Sequence, residues 1–475
     1  MLILTDPGSS RRGDFTSVSR YAAQVLKRWQ PLCISILLVA SPTNGESIDW
    51  IRQFGTTADD VSFGVSADSL GNVFTAGWIN GVSNVGGYDS FVSDYDPSGN
   101  LRWTRQLGTT DDDAAYGVSA DGLGDAYASG HTRGSLGGPN AGGDDAFVAK
   151  YDSTGNLLWT RQIGSAQDDA SYAVSADGLG NVYISGHTRG SLNGSNAGGD
   201  DAFAAKFTSY GSLSWIRQFG TVGEDRAWGI SADRFGNVFV AGQANGSFPI
   251  GNEGTFVRRY DPNGNLQWSH QLTSGGGYNL ALAAAADGNG NLYISGATSA
   301  SGGNPDAFVT KYDVSGDLTW SRQLGTSGSD AAQGVSADYL GNVLISGFSE
   351  GSLAGPKQGL EDAFTSKFDA SGGLAWTQQL GTSDLNYAQG VATDGWGNIY
   401  IANDTNGSLG GPNVGGFDGF IAKISDTPEP SSGFLALGAA IFVLAWRGAK
   451  CDRRAPGLAF GYGVLPLGAT RAVSG

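Results

Sequence analysis

Cysteine is nearly absent. Cys33 and Cys451 are the only two in 475 residues, and both lie in the terminal regions. No disulfide framework and no cysteine-based metal site can therefore be built between them. Charge is scarce at 15% of residues and lopsided: 28 Lys and Arg face 45 Asp and Glu, for a formal net charge of -17. A field of that sign repels nucleic acid and anionic lipid, so neither is an expected partner, while cations are compatible with it. Histidine is rare, with His131, His187 and His270. The first two occupy one position of a repeat, which marks them as inherited copies and not as a catalytic dyad. No nucleophile elbow, zinc motif or phosphate loop occurs.

Glycine, by contrast, is abundant at 77 residues, and apolar residues come in short runs. That composition suits many short strands with tight turns and argues against long helices. A tryptophan recurs at Trp50, Trp103, Trp159, Trp215, Trp268, Trp320 and Trp376, at spacings of 53, 56, 56, 53, 52 and 56 residues. A period of this size indicates a propeller or array. Each unit carries two turn signals of one kind. Asp68-x-x-Gly71-Asn72 and its copies at Asp177, Asp233, Asp338 and Asp394 form one set; Asp96-x-x-Gly99-Asn100 and its copies at Asp152 and Asp261 form the other. Asp opens such a turn by accepting backbone amides, and Gly takes the left-handed position that closes it. Two hairpins make four strands per unit, as in Tyr172–Ala176, Val182–Ser185, Ala146–Tyr151 and Leu157–Ile163.

The fold class is therefore all-β, a seven-bladed β-propeller of four-stranded blades over residues 41–426. Small residues in strand one (Gly64, Gly117, Gly229, Gly334, Gly390) fit where seven strands crowd an axis. The first unit opens with its fourth strand, Glu46–Phe54, and the last stops after its third, Gly419–Ile424, so the N-terminal strand is expected to complete the last blade and leave no open edge. In the motifs D-A-F-V-x-K-Y-D, S-G-N-L-x-W-T-R-Q-L-G-T and A-D-G-L-G-N-V-Y-I-S-G the chain resembles the bacterial seven-bladed β-propeller repeat family. The resemblance implies the fold and a secreted or cell-surface setting, and no particular reaction.

Strand order separates the two faces. Tight turns lie on one; the long strand two-to-three loops, such as His131–Asp145 and His187–Asp201, and the blade crossovers lie on the other, where a scaffold usually carries its binding site. Trp78 and Trp396 are candidates to stack on a sugar there, or equally to serve in the core. Aligned on tryptophan, Arg52, Arg105, Arg161, Arg217 and Arg322 stand two residues later, and Asp60, Asp113, Asp169, Asp225 and Asp330 eight residues further. Two copies lose both charges, to His270 with Tyr278 and to Gln378 with Asn386. Joint loss predicts an Arg–Asp ion pair in each of the other five blades. The competing reading makes the same aspartates a calcium site near the channel mouth.

Residues 1–40 hold a basic leader and the apolar run Leu32–Ala40, the pattern of a secretory signal peptide. At the other end, Pro428, Glu429 and Pro430 precede the apolar stretch Gly433–Trp446 and the cations Arg447, Lys450, Arg453 and Arg454. Residues 427–454 resemble the P-E-P sorting signal of proteins handled by exosortases in Gram-negative bacteria, followed by a tail at 455–475. That resemblance implies transient inner-membrane anchoring, processing by an exosortase-type partner, and release to the cell surface or matrix. The expected function is a non-enzymatic binding or scaffolding module associated with extracellular matrix or exopolysaccharide, its ligand a glycan or another surface protein. The alternative is a secreted hydrolase or lyase with its site on the long-loop face.

Overall fold

A computed structural model describes residues 47–81, 86–122, 124–244, 254–272, 278–299, 303–394 and 396–425. The expected signal peptide (1–40), the sorting signal with Pro428, Glu429, Pro430, Arg447, Arg453 and Arg454, and the 455–475 tail lie outside the described residues.

The turn chemistry of the sequence is what shapes each hairpin. Asp152 Oδ1 accepts the amides of Thr154 and Asn156, both at 2.9 Å, and Oδ2 accepts Asn156 Nδ2 at 2.8 Å. Gly155 sits at φ 80°, a conformation that costs other residues strain. Twenty-eight strands result, in seven antiparallel sheets of four. Blade two is representative: Asp113–Ala120, Ala126–Thr132, Asp145–Tyr151 and Leu157–Ile163, from axis to rim. The other blades span 60–107, 169–219, 225–272, 278–324 and 330–380. The seventh takes Gly390–Thr393, Asn398–Thr405 and Asp418–Ser425 from the C-terminal end and Ser47–Phe54 from the N-terminal end. Ser47–Phe54 lies antiparallel to Asp418–Ser425, with Arg52 opposite Ile421, so the expected closure is present.

Strands two and three of blade two are buried on both faces, as a sheet covered on each side requires. The apolar interior divides into seven clusters, each drawn from two adjacent blades; one holds Phe74 and Trp103 of blade one with Phe147 and Tyr151 of blade two. Among the described residues there is no central core. At the axis a Cβ on Gly64 would lie 2.9 Å from the Val118 amide of the next blade, which is why strand one is poor in bulk. Blade seven is the irregular one. Asn403 stands where blade two has Gly130, whose added Cβ would overlap the Ala114 carbonyl. Accordingly strand one of blade seven is regular only over Gly390–Thr393 and its pairing omits Asn403.

Deleting residues 46–54 should destabilise the domain by more than about 4 kcal/mol, because it removes a whole strand from the seventh blade and exposes a junction core. Thermal and denaturant melts of the full chain with and without the deletion measure it; coincident curves would show that the ring does not depend on this closure.

Candidate functional site: the long-loop mouth of the channel

The long loops are organised by a glutamine of the R-Q-[L/I/F]-G motif that sequence reasoning passed over. Gln162 Nε2 donates to the Gly134 carbonyl at 2.9 Å and to Asp145 Oδ2 at 2.8 Å. Its Oε1 accepts the Leu136 and Gly137 amides at 2.9 and 3.2 Å. Gln218 and Gln379 repeat this in their blades, and Gln53 does so across the closure, binding the Gly407 carbonyl and Asp418 at 2.9 Å each. The next residue but one is glycine because a Cβ on Gly164 would overlap the Asp145 carboxylate. Asp145 in turn accepts the Ala141 amide at 2.8 Å. The loop amides and the glutamine are thus paired locally through Asp145 Oδ2, while Asp145 Oδ1 is buried without a hydrogen-bond partner among the described residues.

Inside these loops, strand one of successive blades places Phe63, Tyr116, Tyr172 and Trp228 side by side around the channel. Their ring centroids are 5.1, 5.8 and 4.2 Å apart in sequence. Leu282, Gln333 and Gln389 hold the equivalent position in blades five to seven, and all seven residues line one cavity of about 570 Å³. Trp228 Nε1 and Gln333 Oε1 have no hydrogen-bond partner among the described residues. Behind the arc, His131 stacks on Tyr116 and His187 on Tyr172, at 5.5 and 5.4 Å. Each histidine serves its own blade. Burial pushes His187 down to about 4, so it is neutral at pH 7, and its Nδ1 is unpartnered. Burial also pushes the Tyr172 phenol up to about 12. Outside the aromatic arc, Arg133 bridges Asp112 and Asp144 at 2.9 and 2.8 Å, and Arg189 bridges Asp168 and Asp200 at 2.8 Å each. Arg226 joins Asp200 at 2.6 Å. Burial alone would raise the Asp200 carboxyl, but the Arg189 hydrogen bond, His187 and Arg226 hold it below its ordinary value. The opposite mouth, of about 540 Å³, carries Asp68, Asp121, Asp177, Asp233, Asp287, Asp338 and Asp394. Those acids are engaged in turns; Asp68, for example, accepts the Leu70 and Asn72 amides at 2.8 and 2.9 Å.

Five stretches, residues 49–84, 102–137, 158–193, 214–249 and 319–353, match the beta-propeller repeat family SBBP. The repeat domain is an SBBP-type β-propeller. A curated relative, the regulatory protein FlaEY of Caulobacter vibrioides, is 27% identical over 225 residues, covering 44% of this chain and 23% of FlaEY. The chain thus spans under a quarter of that relative's length. Among solved structures, Sqt1 from Chaetomium thermophilum is 10% identical with a TM-score of 0.43, covering 81% of this chain and 100% of that one. A protein of unknown function from Dyadobacter fermentans is 14% identical with a TM-score of 0.44, covering 80% and 99%.

Two expectations need correction in this SBBP propeller. The first is the set of ion pairs Arg52–Asp60, Arg105–Asp113, Arg161–Asp169, Arg217–Asp225 and Arg322–Asp330, none of which forms. Each arginine clasps the next blade instead. Arg161 Nε donates to the Gly211 carbonyl at 2.8 Å and its NH2 to Tyr210 at 3.2 Å, with its guanidinium 5.6 Å from the Trp159 ring centroid; Trp159 Nε1 donates to Ser209 at 3.0 Å. Arg52, Arg105, Arg217 and Arg322 bind Gly99, Gly155, Gly264 and Gly372 in the same way. Each aspartate opens strand one and closes the preceding turn: Asp169 Oδ2 accepts the Ser165 amide and hydroxyl at 2.6 and 2.8 Å. Asp60, Asp113, Asp225 and Asp330 likewise accept from Thr56, Thr109, Thr221 and Thr326. The joint losses have separate causes. Gln378 would face the strand three-to-four turn of blade seven, which does not exist because that strand comes from the N-terminus; Asn386 falls in the irregular strand one of the same blade. These aspartates sit one per blade junction, and among the described residues no three His, Cys, Asp or Glu gather as a metal set would require. The second correction concerns Trp396, which stands 73% exposed on a tight turn of the opposite face and so neither stacks on a sugar at the long-loop mouth nor joins the core. Trp78 does lie on the long-loop face, packed against Tyr88 at 5.1 Å.

Because the clasp and the turn are independent, Arg161→Ala should cost about 2–3 kcal/mol through its lost charged hydrogen bonds. Combined with Asp169→Ala it should add within about 0.5 kcal/mol. A double-mutant cycle by denaturant melts checks this; a coupling of several kcal/mol would restore the ion pair.

Burial pushes the Asp404 carboxyl up to about 7, helped by the Asp59 charge, and burial pushes Asp94 up to about 6 against the pull of Arg102, 3.6 Å away. A raised carboxyl binds its proton more tightly folded than unfolded, so its stabilising effect appears as pH falls through 7 and 6 and is absent above. The histidines that burial holds below their ordinary value, His187 and His131, act in the opposite sense over the same range, so the test is a difference between proteins: the melting temperature of the parent relative to that of Asp404→Asn should rise between pH 8 and pH 6. A difference that is constant or falls over this range would contradict it.

Proposed function

We propose that this SBBP propeller is a non-enzymatic binding module, secreted or at the cell surface, whose ligand is a carbohydrate held at the long-loop mouth of the channel. The observation that carries this reading is the arc Phe63, Tyr116, Tyr172 and Trp228, with unspent polar atoms on Trp228 and Gln333 beside it. Aromatic rings stack on the apolar face of a sugar ring while a few fixed polar groups meet its hydroxyls, the usual division of labour in a concave site of this volume. Export is supported by the basic and apolar segments within residues 1–40. Sorting by an exosortase-type enzyme and association with extracellular matrix or exopolysaccharide are supported by the resemblance of residues 427–454 to such signals.

A second reading, a hydrolase or lyase on the same face, draws on His187, a neutral imidazole with an unspent Nδ1 stacked on Tyr172. Paired-carboxylate hydrolysis has no acid among the residues lining this cavity. Glycan-array screening of the full chain, then calorimetry on the glycans retained, tests both. Trp228→Ala and Tyr172→Ala should each weaken binding about tenfold, while Trp396→Ala on the opposite face should not. Affinity untouched by both arc variants would reject the site; turnover of a bound glycan, abolished by His187→Ala, would replace the module with the enzyme.

A further inference from the structure

The two sets of tight turns share their chemistry but not their tips. In both, the third residue gives its amide to the turn aspartate, as Leu70 does to Asp68 at 2.8 Å and Ser98 to Asp96 at 2.9 Å. In the outer set, between strands three and four, that residue is Ser98, Thr154, Tyr210, Asn263, Ser315 and Ser371, polar in all but one. In the inner set, between strands one and two, it is Leu70, Leu123, Leu179, Phe235, Asn289, Leu340 and Trp396, apolar in all but one. The described side chains of the inner set are bare: Leu70 is 71% exposed, Leu179 68%, Phe235 58%, Leu340 79% and Trp396 73%. The outer set shows that the turn itself does not ask for an apolar tip. A crown of exposed large apolar side chains on one face marks a docking surface.

We propose that this crown docks on a lipid surface of neutral headgroups. Three observations select that occupant. The first is where the chain leaves the propeller. Asp418–Ser425 is a third strand, and third strands end on the tight-turn face, so Ser425 leaves on the same side as the crown. In the sequence only residues 426–432 separate it from the apolar stretch Gly433–Trp446, and seven residues span at most about 25 Å. The second is the form of the crown. Its described tips are spread over blades one, three, four, six and seven around a mouth of aspartates; separate apolar tips enter a soft interface one by one, as interfacial anchors do, whereas a rigid protein partner would need a separate socket for each. The third is charge: at -17 the chain is repelled by anionic lipid. Docked this way, the propeller turns its aromatic mouth away from the bilayer. The inference is independent of what that mouth binds.

Hydrogen exchange of the full chain, followed by mass spectrometry with and without phosphatidylcholine vesicles, tests it. Amides of the inner turns at 68–72, 177–181, 233–237, 338–342 and 394–398 should exchange at least fivefold more slowly with vesicles, while those of the long loop 133–144 should not change. Replacing Leu70, Leu179, Phe235 and Leu340 by Ser in the full chain should leave the melting curve in place and abolish that protection. Without vesicles the inner turns should exchange like the outer turns at 96–100 and 152–156, which carry the same hydrogen bonds; clearly slower exchange of the inner set would mean that another part of the chain or a second copy covers the crown, and would overturn the proposal. So would vesicles that leave the inner turns unchanged or that protect the long loops instead.

Discussion

The Trp-x-Arg clasp ties the outer strand of one blade to the outer turn of the next, and its geometry dictates much of the repeat. The turn must offer its carbonyls to the guanidinium, so its glycine sits at positive φ against the indole; a Cβ on Gly211 would lie 2.9 Å from the Trp159 ring. The arginine is spread over that ring and half sheltered from water, which strengthens its hydrogen bonds to neutral acceptors. Since the apolar interior is divided among seven blade junctions, no single core can hold the ring together. Stability accumulates junction by junction, as in other repeat architectures, and the last junction exists only when the N-terminal strand returns to close it. Where the receiving turn is missing, at the entry to blade seven, the clasp arginine is missing too, as Gln378.

That scaffold treats its two faces differently. On the tight-turn face nearly every polar group is consumed by the turn that contains it, which leaves the side-chain tips free to vary. On the long-loop face the glutamine network fixes the loops, and the strand-one position next to the axial glycine is free to vary instead. Variation has collected there unevenly, with aromatics in four consecutive blades and leucine or glutamine in the other three. An asymmetric mouth on a nearly symmetric ring is what a site for one ligand requires, because seven identical positions would define only a symmetric pore.

Blade seven departs furthest from the repeat. Asn403 replaces a glycine at the crowded pairing position, its amide is buried without a partner, and Asp404 beside it is pushed up to about 7 by burial. Blades one to six carry glycine at the position of Asn403. The exception falls in the blade assembled from both ends of the chain, where strand one is shortest.

Period, turn residues and the phase offset between the ends were readable from the sequence, because each acts over a few residues: Asp and Gly specify a hairpin wherever they stand, and seven copies of one unit repeat the message. The number of blades and the closing strand follow from counting. The partners of charged groups were not readable. Arg161 and Asp169 are lost together in two copies and lie near one another in sequence, yet the arginine reaches fifty residues forward to Gly211 while the aspartate turns back four residues to Ser165. Nor could the sequence say that Phe63, Tyr116, Tyr172 and Trp228, more than fifty residues apart from one to the next, would meet around one channel. Their adjacency comes from the rotation between blades, a property of packed sheets that no single repeat contains.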